Sequence, residues 1–243
     1  MTTHTFQVRK LHVAVKGKTL LSVDALDFPA ASMTAVIGPN GAGKSTLLRA
    51  LIGQTGQGEI LLHGAPAAPQ VRQGKAAWVG QHGRYNMPMS VRGYIGLAAY
   101  AKKGRLNHEQ ADALLAYFDL AALAGKRIGR LSGGEQQRAN IIRALLQDAP
   151  VLLLDEPCNH LDIRHQHRLM QHLSGRKADT SAVMVLHDLN LAARYADHVI
   201  LMDKGKVVET GSPEAVMRPE LLEQVYGWPI RRCEDKDGFY FRS

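Results

Sequence analysis

Cysteine is scarce in this chain of 243 residues, which contains only Cys158 and Cys233. Two thiols are too few for a disulfide framework or a cysteine-rich metal cluster, and they indicate reduced cysteines of the cytosolic kind. Long hydrophobic runs are also missing, because no apolar stretch approaches the length of about 18 residues that a membrane-spanning helix needs. The N-terminal sequence MTTHTFQVRK has no apolar segment followed by a small-residue cleavage site, so no signal peptide is predicted. The default expectation is a soluble cytoplasmic protein.

Acidic residues are outnumbered by basic ones, 22 to 30, which gives a formal net charge of +8. A basic balance permits nucleic acid, an anionic membrane surface or an acidic protein as a partner, and it does not choose among them. The basic residues are scattered, and no block of about five or more like charges is present. The pattern favours a solvated basic surface, and we expect no nucleic-acid partner.

Short apolar runs separated by helical patterns predict a parallel α/β sheet. The predicted strands are 8–15, 33–37, 76–79, 151–154, 182–186 and 199–202. A helix is expected to start near Gly43, and the pattern becomes helical again from about residue 84 to 149, with Asn107 as an N-terminal cap. Segment 56–58 and the pair Pro66 and Pro69 predict loops. No linker divides the chain, so residues 1–243 are expected to form a single domain.

Residues 38–46, with the sequence GPNGAGKST, form the most informative motif. The glycines allow backbone N–H groups to approach phosphate oxygens, because no Cβ stands in the way. The helix that follows directs the positive end of its dipole toward the same phosphates. Lys44 can reach the β- and γ-phosphates, and the Ser45 hydroxyl can bind Mg²⁺. We predict an ATP-binding loop made of Gly38, Pro39, Asn40, Gly41, Ala42, Gly43, Lys44, Ser45 and Thr46.

An acidic pair follows the apolar run 151–154. The run delivers Asp155 to the C-terminal end of a predicted strand, where ligands bind in open α/β sheets. We expect Asp155 to hold Mg²⁺ and Glu156 to polarise a water for in-line attack on the γ-phosphate. Alone this pattern is weak, because many buried strands end in aspartate. Together with the phosphate loop it predicts ATP hydrolysis.

A third motif, LSGGEQ at residues 131–136, places a serine and two glycines at the start of an amphipathic helix. A helix start of this kind is a second anion site, and one nucleotide does not need two of them in one chain. The motif set resembles that of the ATP-binding cassette (ABC) ATPases, whose signature reads LSGGQ. In that family the signature of one subunit closes over ATP on the phosphate loop of the other. The resemblance therefore implies that two copies sandwich two ATP molecules, with contacts from Ser132, Gly133, Gly134 and Gln136.

The resemblance covers essentially the whole chain and implies further roles. Gln81 matches the glutamine that senses Mg²⁺ and the attacking water, and His187 matches the switch histidine that contacts the γ-phosphate. Asp162 belongs to the loop through which the two subunits touch. The implied fold is α/β, a P-loop NTPase (RecA-like) core with an N-terminal antiparallel β subdomain and an inserted α-helical subdomain at about residues 84–149. Mg²⁺ would be held by Ser45, Gln81 and Asp155.

One position departs from the family pattern. The family usually places an aromatic residue in the N-terminal sheet to stack on adenine. The matching position is Val15, and no Phe, Tyr or Trp lies between Phe6 and Phe28. We assign the adenine contact to Val15 and expect loose discrimination between bases.

The C-terminal stretches 187–197, 211–214 and 219–227, together with residues 160–166, resemble the import ATPases for iron chelates, haem and cobalamin. This resemblance implies a subunit that binds and hydrolyses ATP to energise an ABC membrane importer, with ATP and Mg²⁺ as cofactors. Its implied partners are a second copy of the chain, integral membrane permease subunits and, indirectly, a solute-binding protein. Its implied location is the cytoplasmic face of the inner membrane, as a peripheral protein.

Three alternatives stay open at this point. The chain could serve a transporter for another solute. It could be a soluble ABC ATPase that acts on ribosomes or DNA, although it has one cassette and no heptad run. It could also be a nucleotide sensor without turnover, which the presence of both Glu156 and His187 disfavours.

Overall fold

The computed structural model describes residues 3–81, 87–102, 104–236 and 238–242. Within these ranges the strands form a four-stranded sheet, a six-stranded sheet and a two-stranded hairpin. None of the helices described there is long and apolar enough to cross a membrane.

The N-terminal part of the chain forms an antiparallel sheet. Strand β1 (His4–Val15) pairs with β2 (Lys18–Pro29) on one side. On the other side it pairs with a later strand, Gln57–Leu62, which is extended by the short strand Ala65–Pro66. Alternate side chains of β1 and β2, among them Phe6 and Phe28, are fully buried, as expected for a sheet with one face packed on a core.

The six-stranded sheet forms the centre of the fold. Its strands are β3 (Met33–Ile37), β6 (Ala76–Val79), β7 (Val151–Asp155), β8 (Ser181–Val185), β9 (His198–Asp203) and β10 (Lys206–Gly211). Their spatial order is β10-β9-β3-β8-β7-β6, and all neighbours are parallel except β10 and β9. The carboxyl ends of the parallel strands therefore share one edge, which is where polar residues following these strands are brought together.

Helices cover this sheet and connect its strands. They are α1 (Lys44–Leu51), α2 (Ala67–Arg72), α3 (Val91–Gly96), α4 (His108–Tyr117), α5 (Gly133–Leu145), α6 (Ile163–Ser174), α7 (Leu189–Tyr195), α8 (Pro213–Val216) and α9 (Pro219–Tyr226). Short 3₁₀ helices lie at Leu97–Lys102, Ala121–Leu123 and Ile128–Arg130. The remaining strands are β4 (Gln57–Leu62), β5 (Ala65–Pro66), β11 (Arg231–Asp235) and β12 (Gly238–Arg242).

The predicted helix starts near Gly43 and at Asn107 are confirmed. Asn107 caps α4 by accepting a 3.0 Å hydrogen bond from the Gln110 backbone N–H. Ser212 caps α8, which has Pro213 in its first turn. The helical stretch predicted from about residue 84 to 149 contains α3, α4 and α5, while residues 84–86 lie outside the described residues.

Two predicted loops are wrong. Segment 56–58 enters β4 at Gln57, and Pro66 and Pro69 lie in β5 and α2. Gly58 belongs to a strand because the chain passes close to β1: a Cβ on Gly58 would lie 2.7 Å from the Lys10 carbonyl oxygen. Glycine within a strand often marks such a close approach of two backbones.

The core has a layer on each face of the central sheet. In β3, Ala35 and Ile37 belong to the cluster that packs under α3, α4 and α5, whereas Val36 belongs to the cluster shared with the antiparallel sheet and α1. Every residue of β3, β7 and β8 is buried. Buried strands of this kind hold the residues that follow them in fixed positions.

Candidate nucleotide-binding site

The phosphate loop connects β3 to α1 at the carboxyl edge of the central sheet. Gly38, Gly41 and Gly43 have φ values of 143°, 81° and 97°, a region that favours glycine. A Cβ on Gly38 would lie 2.1 Å from the Met202 carbonyl oxygen, so no other residue fits that position without a shift of the backbone. On Gly41 a Cβ would meet nothing within 4 Å, which leaves the space in front of the loop open.

Lys44 lies at the first position of α1 with its side chain folded back over the loop. Its Nζ donates hydrogen bonds to the carbonyl oxygens of Gly38, at 2.7 Å, and Pro39, at 2.9 Å. The residue is only 5% exposed, and burial lowers the pKa of its ammonium group, against the opposing charges of Glu156 and Asp155. A buried ammonium held by carbonyl groups alone is positioned to exchange these contacts for phosphate oxygens.

Ser45 and Asp155 are brought together from α1 and β7. The Ser45 hydroxyl donates a 2.8 Å hydrogen bond to Asp155 Oδ1. Asp155 is fully buried, and its Oδ2 has no hydrogen-bond partner among the described residues. Burial raises the pKa of this carboxyl group. A hydroxyl beside an unpartnered carboxylate oxygen is a donor set suited to Mg²⁺, so these residues fit the predicted cation.

Glu156 and His187 meet at the same edge, after β7 and β8. His187 Nε2 lies 2.8 Å from Glu156 Oε1, and the two side chains are 38% and 13% exposed. Asn159 donates a hydrogen bond from its side-chain amide to the other carboxylate oxygen, Oε2. Glu156 has a φ of 54°, an uncommon conformation for a residue with a Cβ and one that is often found at functional sites. The carboxylate is thus held from both sides.

An open cleft of about 330 Å³ lies in front of the phosphate loop. Its lining residues are Leu20, Asn40, Gly41, Ala42, Gly43, Lys44, Ser45, Thr46, Gln81 and Glu156. The structure therefore places Gln81 and Glu156 at the predicted phosphate loop. Val15, at the end of β1, is 52% exposed and does not line this cleft.

Sequence reasoning missed Leu20 and Asn159. Leu20 reaches the cleft from β2, because its backbone lies against the phosphate loop: its carbonyl oxygen would lie 3.3 Å from a Cβ on Gly43. No motif marks it. Asn159 lies three residues after Glu156, and its backbone N–H also donates to the Glu156 carbonyl oxygen at 3.2 Å. An asparagine so close after the acidic pair is the only signal that the sequence offers for this contact.

The signature residues form the N-terminus of α5. Ser132 caps the helix in a capping box with Glu135, in which the Ser132 N–H donates to Glu135 Oε2 at 2.7 Å and the Glu135 N–H donates to Ser132 Oγ at 3.3 Å. Gly133 and Gly134 form the first turn. A Cβ on Gly134 would lie 2.6 Å from the His160 carbonyl oxygen, so the signature and the loop after Glu156 are in close contact.

Two buried glutamines connect α5 to its surroundings. Gln136 is 6% exposed, and its side-chain amide donates to the carbonyl oxygens of Ile128 and Leu131 at 3.1 and 3.2 Å. It therefore holds the segment before the signature and lies away from the cleft. Gln137 donates to the Pro157 carbonyl oxygen at 2.9 Å and so ties α5 to the loop that carries Glu156.

Asp162 and Cys158 complete this loop. Asp162 caps α6 by accepting hydrogen bonds from the His165 backbone N–H at 2.9 Å and lies 2.8 Å from His165 Nδ1. These hydrogen bonds hold the pKa of the Asp162 carboxyl below its ordinary value. Cys158 is buried, and burial raises the pKa of its thiol to about 12.

The phosphate loop after β3 and the acidic pair at the end of β7, at the same edge of the central sheet, define the class of the protein as a P-loop ATPase. A family model described as ABC transporter matches residues 21–159, more than half of the chain, and the chain belongs to that family. It is therefore an ATP-binding and hydrolysing subunit whose activity is coupled to transport and which works with membrane permease components. The α/β fold predicted from the sequence is confirmed.

The relatives also confirm the predicted resemblance. The chain is 37% identical over 242 residues to the hemin import ATP-binding protein HmuV of Escherichia coli O157:H7, covering 93% of this chain and 94% of that protein. It is 39% identical over 220 residues to HmuV of Nocardia farcinica (strain IFM 10152), covering 86% and 76%. A solved ATP-binding cassette, MJ1267 in its ADP conformation, shares the fold at a TM-score of 0.77 and 20% identity, covering 93% and 99%.

Proposed function

We propose that this chain energises the import of haem or a related iron chelate across the inner membrane. Support comes from its likeness to hemin import ATP-binding proteins, which extends over nearly the full length of both chains. The proposed ATP hydrolysis rests on one observation: Ser45 and Asp155 lie beside Glu156 and His187 at the carboxyl edge of the central sheet. The whole chain is proposed to be a single ABC ATPase domain, with a helical subdomain at about residues 84–149.

The proposed cofactors are ATP and Mg²⁺. The fit rests on the Ser45 hydroxyl and on Asp155 Oδ2, which is buried without a partner among the described residues, with Gln81 at the rim of the same cleft. When bound, Mg²⁺ neutralises phosphate charge. The backbone N–H groups of the glycine-rich loop and the start of α1 bind the phosphates. Lys44 exchanges its two carbonyl contacts for phosphate oxygens.

Glu156 is the proposed general base. Its carboxylate accepts a proton from the attacking water, and its position is fixed by Asn159 and by the backbone of the loop. His187 contacts Glu156 at 2.8 Å in this structure and is proposed to turn to the γ-phosphate when ATP is present. Positioning and electrostatic stabilisation supply most of the rate enhancement in phosphoryl transfer, and this set of groups is suited to both.

The proposed assembly contains two copies of the chain. Ser132, Gly133 and Gly134 at the start of α5 do not line the cleft of their own chain, which supports their use on ATP held by the other copy. Asp162 lies in the loop between Glu156 and α6 and is proposed to contact the second copy. The pair docks on permease subunits at the cytoplasmic face of the membrane, and a solute-binding protein delivers the chelate from the other side.

The experiment that tests this function uses the chain assembled with its permease in phospholipid vesicles. We expect Glu156→Gln to keep ATP binding and to lower both phosphate release and uptake of haemin by about a hundredfold or more, because the amide cannot accept the water proton. Glu209→Gln, a change at a partly exposed residue of β10 that does not line the cleft, is the matched control and should leave both rates unchanged.

Two outcomes would contradict the proposal. Phosphate release near the parent rate in the Glu156→Gln variant would remove Glu156 from the chemistry. The second outcome is that vesicles containing the parent chain hydrolyse ATP and take up no haemin or iron chelate. That result would agree with the proposed ATPase activity and would contradict the proposed substrate.

A further inference from the structure

His165, the third residue of α6, has its side chain buried among three charged groups and is only 5% exposed. Its Nδ1 lies 2.8 Å from Asp162 Oδ1, and its Nε2 lies 3.3 Å from Asp119 Oδ2 and 2.7 Å from Arg138 Nη1. Charged partners at both nitrogens hold an imidazole in one orientation. The ring therefore joins three segments, which are the signature helix α5, the turn after α4 and the loop before α6.

The partners of the imidazole determine which nitrogen donates. Hydrogen bonds from the backbone and the ring of His165 hold the pKa of Asp162 below its ordinary value, so Asp162 is a carboxylate that accepts and Nδ1 carries a proton. Nε2 faces the guanidinium group of Arg138, whose N–H groups only donate. A chain of contacts therefore runs from the signature helix through the imidazole to the carboxylate of Asp162.

Asp119 ties the other side of this cluster to the end of α4. Its Oδ2 accepts a 3.0 Å hydrogen bond from Arg168 and lies 3.3 Å from Arg164. The hydrogen bond from Arg168 is the main cause that lowers the pKa of the Asp119 carboxyl. Arg168 also donates to the Tyr117 carbonyl oxygen at 2.8 Å. The first turns of α6 are thus fixed to α4 on one side and to α5 on the other.

The loop 156–162 contacts α5 along most of its length. A Cβ on Gly134 would lie 2.6 Å from the His160 carbonyl oxygen, and Gln137 donates to the Pro157 carbonyl oxygen at 2.9 Å. These two contacts involve backbone atoms of the loop. The contact of α5 with the imidazole is different, because it leads to the carboxylate side chain at the end of the loop.

That carboxylate is directed by one residue. In the described part of the chain, both hydrogen bonds that Asp162 accepts come from His165, one from the backbone N–H at 2.9 Å and one from the ring. Both end on Oδ1, and the Asp162 side chain is 66% exposed, so Oδ2 is available to another molecule. The backbone hydrogen bond caps α6 whatever the side chain of residue 165 is. The ring therefore has the separate effect of fixing the direction of the carboxylate.

We propose that His165 is a positioning residue for the contact between two copies of the chain. This role rests on the proposed pairing around ATP, in which Asp162 touches the second copy. Arg138 belongs to the helix that starts with the signature, so its contact with His165 keeps the signature and the Asp162 carboxylate in a fixed relation. Both surfaces then reach the second copy together, and no part of the pairing energy is spent on ordering the carboxylate.

The test uses the full chain with Glu156→Gln, so that hydrolysis does not consume the ATP-bound pair. Light scattering gives the ATP concentration at which half of the chain is dimeric. His165→Ala keeps the backbone cap of α6 and should raise this concentration by about tenfold, because a hydrogen bond to a charged group is lost. Binding of a fluorescent ATP analogue to the monomer should not change. The matched control is His167→Ala, the same change two residues later in α6, which removes a contact with Tyr195 and should leave dimerisation unchanged.

Two amide variants separate the two nitrogens of the ring. The amide nitrogen of His165→Asn takes the place of Nδ1 and can donate to Asp162, so this variant should return the half-dimerisation concentration to within about threefold of the parent. The longer side chain of His165→Gln places its amide toward Asp119 and Arg138, and this variant should behave like His165→Ala. If all three variants dimerise alike, the ring only packs and the proposal is overturned.

Steady-state phosphate release by the chain assembled with its permease gives a second readout. His165→Ala, in the chain that retains Glu156, should raise the ATP concentration for half-maximal release by about fivefold or more. The rate at saturating ATP should stay within about twofold of the parent, because the groups at the phosphate loop are unchanged. A lower saturating rate at an unchanged half-maximal concentration would place His165 in the chemical step and contradict a role in pairing.

The remaining outcomes separate this role from the pairing on which it rests. Rescue by His165→Gln and not by His165→Asn would assign the ring to Asp119 and overturn the proposal. Dimerisation of His165→Ala at the parent's ATP concentration would overturn it as well. A Glu156→Gln chain that keeps His165, binds ATP and never dimerises would instead contradict the proposed pairing itself. The two failures are therefore distinguishable.

Discussion

His172 on α6 is a histidine placed among aromatic rings. Its ring centroid lies 5.6 Å from that of Tyr117 and 6.2 Å from that of Phe118, and its Nε2 is buried without a hydrogen-bond partner among the described residues. Burial lowers the pKa of His172, and the charge of Arg176 lowers it further. The folded chain therefore favours the neutral ring.

This burial predicts an acid-sensitive contribution to stability. A folded-state pKa below the unfolded value of about 6.5 means that the unfolded chain binds the proton more readily. The contribution is present above pH 6.5 or so and is lost as the pH falls through that value toward the folded-state pKa, with a slope of at most about 1.4 kcal/mol per pH unit. His172→Phe should flatten this part of the pH dependence of the free energy of unfolding, measured by urea denaturation.

The control for His172 is His108→Gln, a change at the exposed first residue of α4. It should leave the slope between pH 7.5 and 5.5 as in the parent. A His172→Phe chain with the parent's slope would show that another group carries the acid sensitivity.

The sequence predicted individual residues well where their role depends on local chemistry. The role of the phosphate loop from Gly38 to Thr46 depends only on its own glycines and on the helix that follows. In the structure, most residues of this loop line one cleft. Leu20 could not be predicted, because it reaches this cleft through the packing of β2 against Gly43. Gln136 illustrates the same limit, since its buried side chain faces Ile128 and Leu131.

At the scale of elements, the apolar runs predicted the five parallel strands of the central sheet to within a residue or two. They did not predict β10, whose residues alternate between exposed and partly buried. β3, β7 and β8 are continuous buried runs, and such runs can be recognised without knowledge of their neighbours. β4 and α2 were missed because Gly58, Pro66 and Pro69 indicate loops locally. Their conformation depends on pairing with β1, which is distant in sequence.

One side chain forms two hydrogen bonds to the C-terminal hairpin. Asn190 of α7 donates from Nδ2 to the Phe241 carbonyl oxygen at 3.2 Å and accepts from the Phe241 N–H at 2.7 Å. These two hydrogen bonds attach β12, and with it the hairpin β11–β12, to the helix that follows His187. The hairpin is therefore expected to open locally when the amide is removed.

Asn190→Ala should increase amide hydrogen exchange in β11 and β12 by about tenfold, because two hydrogen bonds to the Phe241 backbone are lost. Exchange in β7 should not change. Asn107→Ala, which removes the cap of α4, is the matched control and should increase exchange only in α4. Equal exchange of the hairpin in the Asn190→Ala variant and the parent would contradict this attachment.

At the scale of the whole molecule, the two sheets meet over the phosphate loop. The Gly205 N–H donates to the Ala42 carbonyl oxygen at 3.0 Å, and the Gly205 carbonyl oxygen accepts from the Ser22 N–H at 2.8 Å. The turn between β9 and β10 thus joins the loop to the antiparallel sheet. The proposed phosphate contacts lie on the central sheet, whereas Leu20 and the proposed adenine contact, the exposed Val15, lie on the antiparallel sheet.

An aliphatic base end predicts weak base selectivity. ATP and GTP should bind with affinities within about tenfold, or 1.4 kcal/mol, because neither side chain stacks like an aromatic ring or reads the polar edge of a purine. Competition against a fluorescent ATP analogue measures this ratio. Val15→Tyr should shift the ratio toward ATP, and a strong ATP preference of the parent chain would contradict the assignment.

Cys158 has a consequence for the durability of the enzyme. Its thiol lies two residues after Glu156, the proposed general base, and burial raises its pKa to about 12. Oxidants and electrophiles attack the thiolate, which is essentially absent at neutral pH for such a group. The thiol two residues after the proposed catalytic glutamate is thus unreactive, and oxidants would react first with the partly exposed Cys233 of the C-terminal hairpin.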